Sequence, residues 1–178
     1  MTFHQYSIHF GGEKVGFAHF RILESREEAE YEDHGWYEKY WFDEQLGILG
    51  IAEQYPVLLL RYIEIDYDHH KNGHGARFLD FIEDFGAKKG CSLAFCVVHT
   101  NYRDDIMARN IRFYLRAGWR IWEEESGKEL FRSPEEQDNF SAFKVLELMP
   151  LQKTEDYSFL PMDIPQSELD YIHKRTVR

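Results

Sequence analysis

Cysteine is scarce in this chain. Cys91 and Cys96 are the two among 178 residues, and both fall in a hydrophobic stretch. Their offset of five has odd parity, so one regular strand places them on opposite faces. That excludes a disulfide framework and predicts reduced core thiols in a cytoplasmic protein. Long apolar runs are missing as well. The best candidate, Leu46–Leu60, is broken by Glu53, Gln54 and Pro56, well short of the roughly 20 residues that span a bilayer. The opening MTFHQYSIHF has neither the basic region nor the apolar core of a signal peptide. No membrane association is expected.

Basic residues are outnumbered, 21 against 32 acidic, for a formal net charge of −11. Nucleic-acid binding needs Lys and Arg to neutralise phosphates, so an acidic chain argues against it. The same charge suits a cationic acceptor such as an amine. No internal repeat or low-complexity linker interrupts the chain. One domain over 1–178 is expected, with an acidic and aromatic insertion at about 25–55 and a tail from about 152.

What is present is aromatic: 14 Phe, 11 Tyr and 4 Trp. Phe3–Phe10 and Lys14–Leu23 read as strands joined at Gly11-Gly12. Val57–Asp66 opens with a continuous apolar run, as a central strand does. Gly75 to about Lys88 is a helix whose Phe78, Phe81, Ile82 and Phe85 share one stripe. Ser92–His99 is a second buried strand. A helix capped by Asp104 or Asp105 follows, carrying Met107, Ile111, Tyr114 and Leu115 on one face and ending at Gly118. Strands over Trp119–Glu124 and Ala142–Leu148 complete the pattern. Strand–helix–strand units imply right-handed crossovers and a mixed sheet flanked by helices.

The segment Asp66–Ala76, DYDHHKNGHGA, joins a strand to a helix. Such a junction offers free amides and a positive dipole end to an anion. Gly73 and Gly75 permit close approach by a phosphate. No Gly-Lys-Ser/Thr follows, so this is not a P-loop, and the first glycine of a dinucleotide fingerprint is absent. His69, His70 and His74 lack a companion set of Cys or carboxylate ligands, so no metal is expected.

His70-Lys71-Asn72-Gly73-His74-Gly75 resembles the Arg/Gln-x-x-Gly-x-Gly/Ala loop of the GNAT superfamily of acyl-CoA-dependent N-acyltransferases, with His in the first position. Phe113-Tyr114-Leu115-Arg116-Ala117-Gly118-Trp119 resembles that family's Phe-Tyr-x-x-x-Gly-Phe. The likeness covers roughly Val57 to Trp122. It implies an α/β (α+β) fold: a mixed, mostly antiparallel central sheet, helices on both faces and a splayed central strand pair. It implies acetyl-CoA as acyl donor. The loop His70–Ala76 would hold the pyrophosphate, with His70 among the cofactor-binding residues and the backbone amides of Lys71, Asn72, Gly73, His74, Gly75 and Ala76 as donors, and Ile65 would pair with the pantetheine arm. Met107 and Asn110 depart from the family's usual Asn and Ala, with Asn110 a substitute contact.

Direct acyl transfer to a primary amine needs deprotonation of the nitrogen, polarisation of the thioester, a proton for the leaving thiolate, and proximity. By the resemblance, Tyr114 is the proton donor to sulfur; a phenol pKa of about 10 suits that task. Glu64 at the end of the central strand is the first candidate base, and His99 at the end of the next strand is the second. A backbone N–H near Ile65 is placed to polarise the thioester oxygen. Trp36, Tyr37, Tyr40, Trp41 and Phe42 are candidate acceptor-site linings, with Glu38 or Asp43 to attract an ammonium. A non-catalytic acyl-CoA-binding regulator and a protein-interaction module stay open, as does a homodimer.

Overall fold

Positive φ at both Gly11 (57°) and Gly12 (87°) closes the first hairpin in the computed structural model, the tight-turn geometry that twin glycines favour. The structure describes residues 2–25, 28, 55–98, 104–123, 128–130, 140–147 and 156–163. The hairpin joins β1 (Thr2–Phe10) to β2 (Glu13–Leu23). Then come β3 (Val57–Ile65), α1 (His74–Lys88), β4 (Leu93–Val98), α2 (Asp104–Arg116), β5 (Arg120–Glu123), β6 (Lys128–Leu130), β7 (Phe140–Val145) and β8 (Tyr157–Pro161).

The strands form one sheet in the order β6-β5-β7-β4-β3-β2-β1-β8. Every neighbouring pair is antiparallel except β3 with β4. Those two are joined by α1, as a parallel crossover requires. The expected mixed, mostly antiparallel sheet is therefore present. So is the splayed central pair. β3 and β4 pair only at Val57↔Leu93, Leu58↔Ala94 and Leu59↔Phe95. β3 nevertheless runs on to Ile65 alongside β2, and β4 to Val98 alongside β7. The sheet thus opens between its two middle strands beyond Leu59 and Phe95.

Strand alternation sorts the core onto two faces. Leu58, Leu60, Ala94, Cys96, Ile121, Phe140 and Ala142 pack with Phe78, Leu79 and Ile82 of α1 and Ile111 and Tyr114 of α2. Leu23, Val57, Leu59, Leu93, Phe95, Trp122 and Phe143 form a second cluster on the opposite face. Both described helices lie on the first face. The insertion expected at about 25–55 falls almost wholly outside the described residues.

The α1 stripe differs in detail from its sequence reading. Phe78 and Ile82 are fully buried, Phe81 and Phe85 only partly. Part of the tail is regular. Tyr157–Pro161 adds β8 to the sheet edge beside β1, and Phe159 stacks on Phe81 at 4.3 Å. β6 and β8 are edge strands of three and five residues, too short to show a period along the chain. Cys91 and Cys96 are both buried and unpaired with each other, as expected of reduced core thiols.

Glu83 ties the helical layer to the sheet. Its carboxylate accepts from the Trp119 indole at 2.7 Å and from Lys144 Nζ at 2.6 Å. Lys144 also donates to the Ala117 carbonyl at 2.8 Å, a cation at the end of α2 where the dipole favours one.

Candidate active site

β3 changes face at a bulge. Phe20 pairs with Leu60 but His19 pairs with Tyr62, leaving Arg61 as the extra residue. Before it, Leu58 and Leu60 point toward α1; after it, Ile63 and Ile65 do. Tyr62 and Glu64 consequently face the opposite side of the sheet, where Phe17 lies 5.2 Å from the Tyr62 ring. Glu64 is exposed and accepts a hydrogen bond from the Tyr62 hydroxyl. Burial, reinforced by the Glu64 carboxylate, raises the Tyr62 phenol well above its ordinary range, so it remains the donor. Asp66 lies past the strand end, at the start of a 3-10 turn over Tyr67–His69, and makes no side-chain capping bond.

The Asp66 N–H donates to Val15 O on β2 at 2.9 Å. By alternation the backbone groups of Ile65 point the other way, into the gap between β3 and β4. The Ile65 position implied for a pantetheine arm therefore borders the opening. Its carbonyl accepts from His70 Nε2 at 2.7 Å. Because a carbonyl only accepts, the His70 proton sits on Nε2.

From His70 the loop turns through Lys71 (φ 68°) and Gly73 (φ 81°) into α1. The His70 N–H is bonded back to Tyr67 O at 3.2 Å, and Arg77 N–H reaches Gly73 O at 3.2 Å. The amides of Lys71, Asn72, Gly73, His74, Gly75 and Ala76 lie between those two bonds. They form a run of donors at a helix N-terminus whose first turn carries no acidic residue. Lys71, Asn72, Gly73 and Ala76 are exposed, Gly75 is half-buried, and the His74 side chain is buried.

The two glycines differ in role. Nothing lies within 4 Å of a Cβ built on Gly73, whose need is the left-handed backbone. A Cβ on Gly75 would stand 3.0 Å from Phe113 Cε2 and 3.6 Å from Ile65 Cγ1. Gly75 therefore lets the helix start sit against Phe113 of α2 and Ile65 of β3. The two sequence motifs meet at that contact.

Tyr114 is buried between Phe113 and Trp119, with ring centroids 5.2 and 5.3 Å away. Its hydroxyl is hydrogen-bonded with the Cys96 thiol. Cys96 follows Phe95, the last β4 residue paired to β3, so Tyr114 reaches the sheet where the gap opens. Burial first, then the neighbouring thiol, holds the Tyr114 proton well above the ordinary phenol range. Burial likewise pushes the Cys96 thiol up to about 12. Asn110 is half-buried on α2, one turn before Phe113 and Tyr114. His99 lies outside the described residues, as do Trp36, Tyr37, Glu38, Tyr40, Trp41, Phe42 and Asp43.

The histidines that suggested ligation are otherwise engaged. His74 Nδ1 shares a hydrogen bond of 2.9 Å with the Tyr157 hydroxyl. His69 Nε2 lies 3.6 Å from Glu13 Oε1. Among the described residues, no group of three or more His, Cys, Asp or Glu is arranged to hold a metal ion. The side-chain roles of His70, His74, Cys96, Tyr62 and Tyr157 were not legible beforehand. Tyr157 stands 83 positions from His74, and no local pattern links them.

No family model and no curated protein matches the chain. Solved structures do. A mosquito arylalkylamine N-acetyltransferase-like protein is 15% identical over 75% of this chain and 69% of its own, with a TM-score of 0.48. The polyamine N-acetyltransferase of Drosophila melanogaster, described as forming N-acetylagmatine, is 15% identical over 76% of this chain and 71% of its own, at 0.47. An acetyltransferase of Bacillus subtilis in complex with CoA is 12% identical over 77% and 72%, at 0.43. Likenesses at that level carry no substrate and no residue role to this chain.

Proposed function

We propose that this chain is an N-acetyltransferase that moves an acetyl group from acetyl-CoA to a primary amine by direct attack within a ternary complex. One observation carries the reading: the sheet opens between β3 and β4 beside a run of amides at a helix N-terminus. The amides of Lys71 through Ala76 suit a pyrophosphate. The Ile65 backbone borders the gap into which an extended thioester arm would pass. No resident metal or prosthetic group is needed for this chemistry.

Glu64 faces the side of the sheet opposite the phosphate loop. The donor then enters from the α1 face and the amine from the other, and the two meet at the opening. Glu64 takes a proton from the ammonium, directly or through water. The amine nitrogen bonds to the carbonyl carbon, the carbon–sulfur bond breaks, and the sulfur takes a proton. Tyr114 supplies that proton; its buried phenol is fully protonated across the neutral range. The second proton shed by the nitrogen as the amide forms passes through water to restore the donor, while Glu64 releases the first to solvent. Asn110, one turn earlier on α2, is an additional contact for the donor.

Thermal melting with acetyl-CoA tests the reading, beside a Lys71→Glu, Asn72→Glu variant that changes two exposed loop positions. Ligand at about 100 times its dissociation constant adds roughly 2.7 kcal/mol to stability. The wild type is expected to gain that shift and the variant to lose it. Release of free CoA with a panel of primary amines then separates an enzyme from a binder. No shift with any acyl-CoA would sink the proposal.

A further inference from the structure

The phosphate turn is short of side chains. In Gly73-His74-Gly75 only His74 has one, and Gly73 has nothing within 4 Å of a Cβ position. The ring of His74 is thus the side-chain handle within those three residues by which the rest of the molecule can hold the start of α1. It is buried, at 4% exposure. Its Nδ1 is 2.9 Å from the Tyr157 hydroxyl. The Phe10 ring lies 5.0 Å away, and Phe10 is also 5.0 Å from Tyr157, its register partner across β1 and β8. The His69 ring closes a further side at 6.1 Å. At the other end of the loop, His70 is fastened to the Ile65 carbonyl. Two histidine rings therefore pin a run of donors whose own residues are small or exposed.

We infer that Tyr157 is a positioning residue for the acyl donor: by holding the His74 ring it sets the amides of the phosphate turn and couples β8 to donor binding. The inference rests on the loop being the CoA site. Gly73 leaves the entry to the turn open, so the hydrogen bond between the His74 ring and the Tyr157 hydroxyl helps to set where that amide points. Coupling is reciprocal. If β8 orders the turn, CoA bound at the turn must protect β8.

The test uses the full chain and CoA itself. Calorimetric titration compares wild type, Tyr157→Phe, His74→Gln and the double variant, well below their melting temperatures. Tyr157→Phe keeps the ring packing and loses the hydroxyl. Its CoA affinity is expected to fall roughly fivefold, the worth of one ordinary hydrogen bond. In the His74→Gln background the same change is expected to have little further effect, the mark of action through His74. Amide hydrogen exchange over 157–161 is expected to slow with CoA in the wild type, and less so in Tyr157→Phe. A merely structural Tyr157 would lower the melting temperature and leave affinity unmoved. Equal CoA affinity in wild type and Tyr157→Phe overturns this inference alone. Absence of CoA binding by the wild type overturns the loop reading and this inference with it.

Discussion

The Tyr114 hydroxyl is enclosed by Phe113, Trp119 and the Cys96 thiol, at the point where β4 leaves β3. An enclosed phenol keeps its proton through neutral pH, which suits a donor to a departing thiolate and excludes a base. Tyr114→Phe should therefore lower kcat about a hundredfold with a much smaller change in KM for acetyl-CoA. Steady-state kinetics with any amine that the chain accepts will check this, and an unchanged kcat would remove Tyr114 from the chemistry. Its place on the buried face of α2 was readable from the Phe113–Gly118 pattern, because a tyrosine on an apolar helix stripe followed by a C-terminal glycine is local; the donor role came from the resemblance alone. Cys96 was legible only as a core thiol. Its pairing with Tyr114 depends on α2 crossing β4, which no spacing along the chain encodes.

Elements meet through Glu83. Its two carboxylate oxygens serve Trp119 at the entry to β5 and Lys144 on β7, so α1, β5 and β7 share one side chain. Glu83→Ala should destabilise the fold by about 2 kcal/mol, because the Trp119 indole N–H is left buried without an acceptor. Glu83→Gln keeps an oxygen for the indole and should lose less. Urea unfolding of the three proteins measures both, and an alanine variant as stable as wild type would mean the bridge contributes nothing. The helices and long strands announced themselves through apolar periodicity and glycine stops. β6 and β8 did not, because strands of three and five residues are too short to show a period, and a neighbouring strand supplies the pairing. The Arg61 bulge was equally silent, yet it decides which face Glu64 occupies.

Across the described residues of the molecule, His4 and His74 set an acid limit. His4 is lowered from its ordinary 6.5 by burial and by Lys89, and His74 by burial and by His69. Each binds its proton more weakly folded than unfolded. Below about 6.5 the unfolded chain takes up protons that the folded chain refuses, so stability falls as pH drops through that window. Melting temperature should hold near neutrality and decline from about pH 6.5 downward, and His4→Gln or His74→Gln should each flatten the slope. A rise on acidification, or slopes unchanged in both variants, would contradict the assignment.

The order of the helices and longer strands, the glycine turns, the apolar faces and the anion-ready start of α1 follow from the sequence alone. They depend on local sterics and short-range periodicity. Which atoms converge at the gap does not. The three-residue pairing of β3 with β4, the turning of Glu64 away from the phosphate loop, and the fit of Gly75 against Phe113 are decided in tertiary structure. So is the reach of Tyr157 back to His74. Each of these joins residues distant in the chain, and their meeting is fixed by packing over the whole sheet.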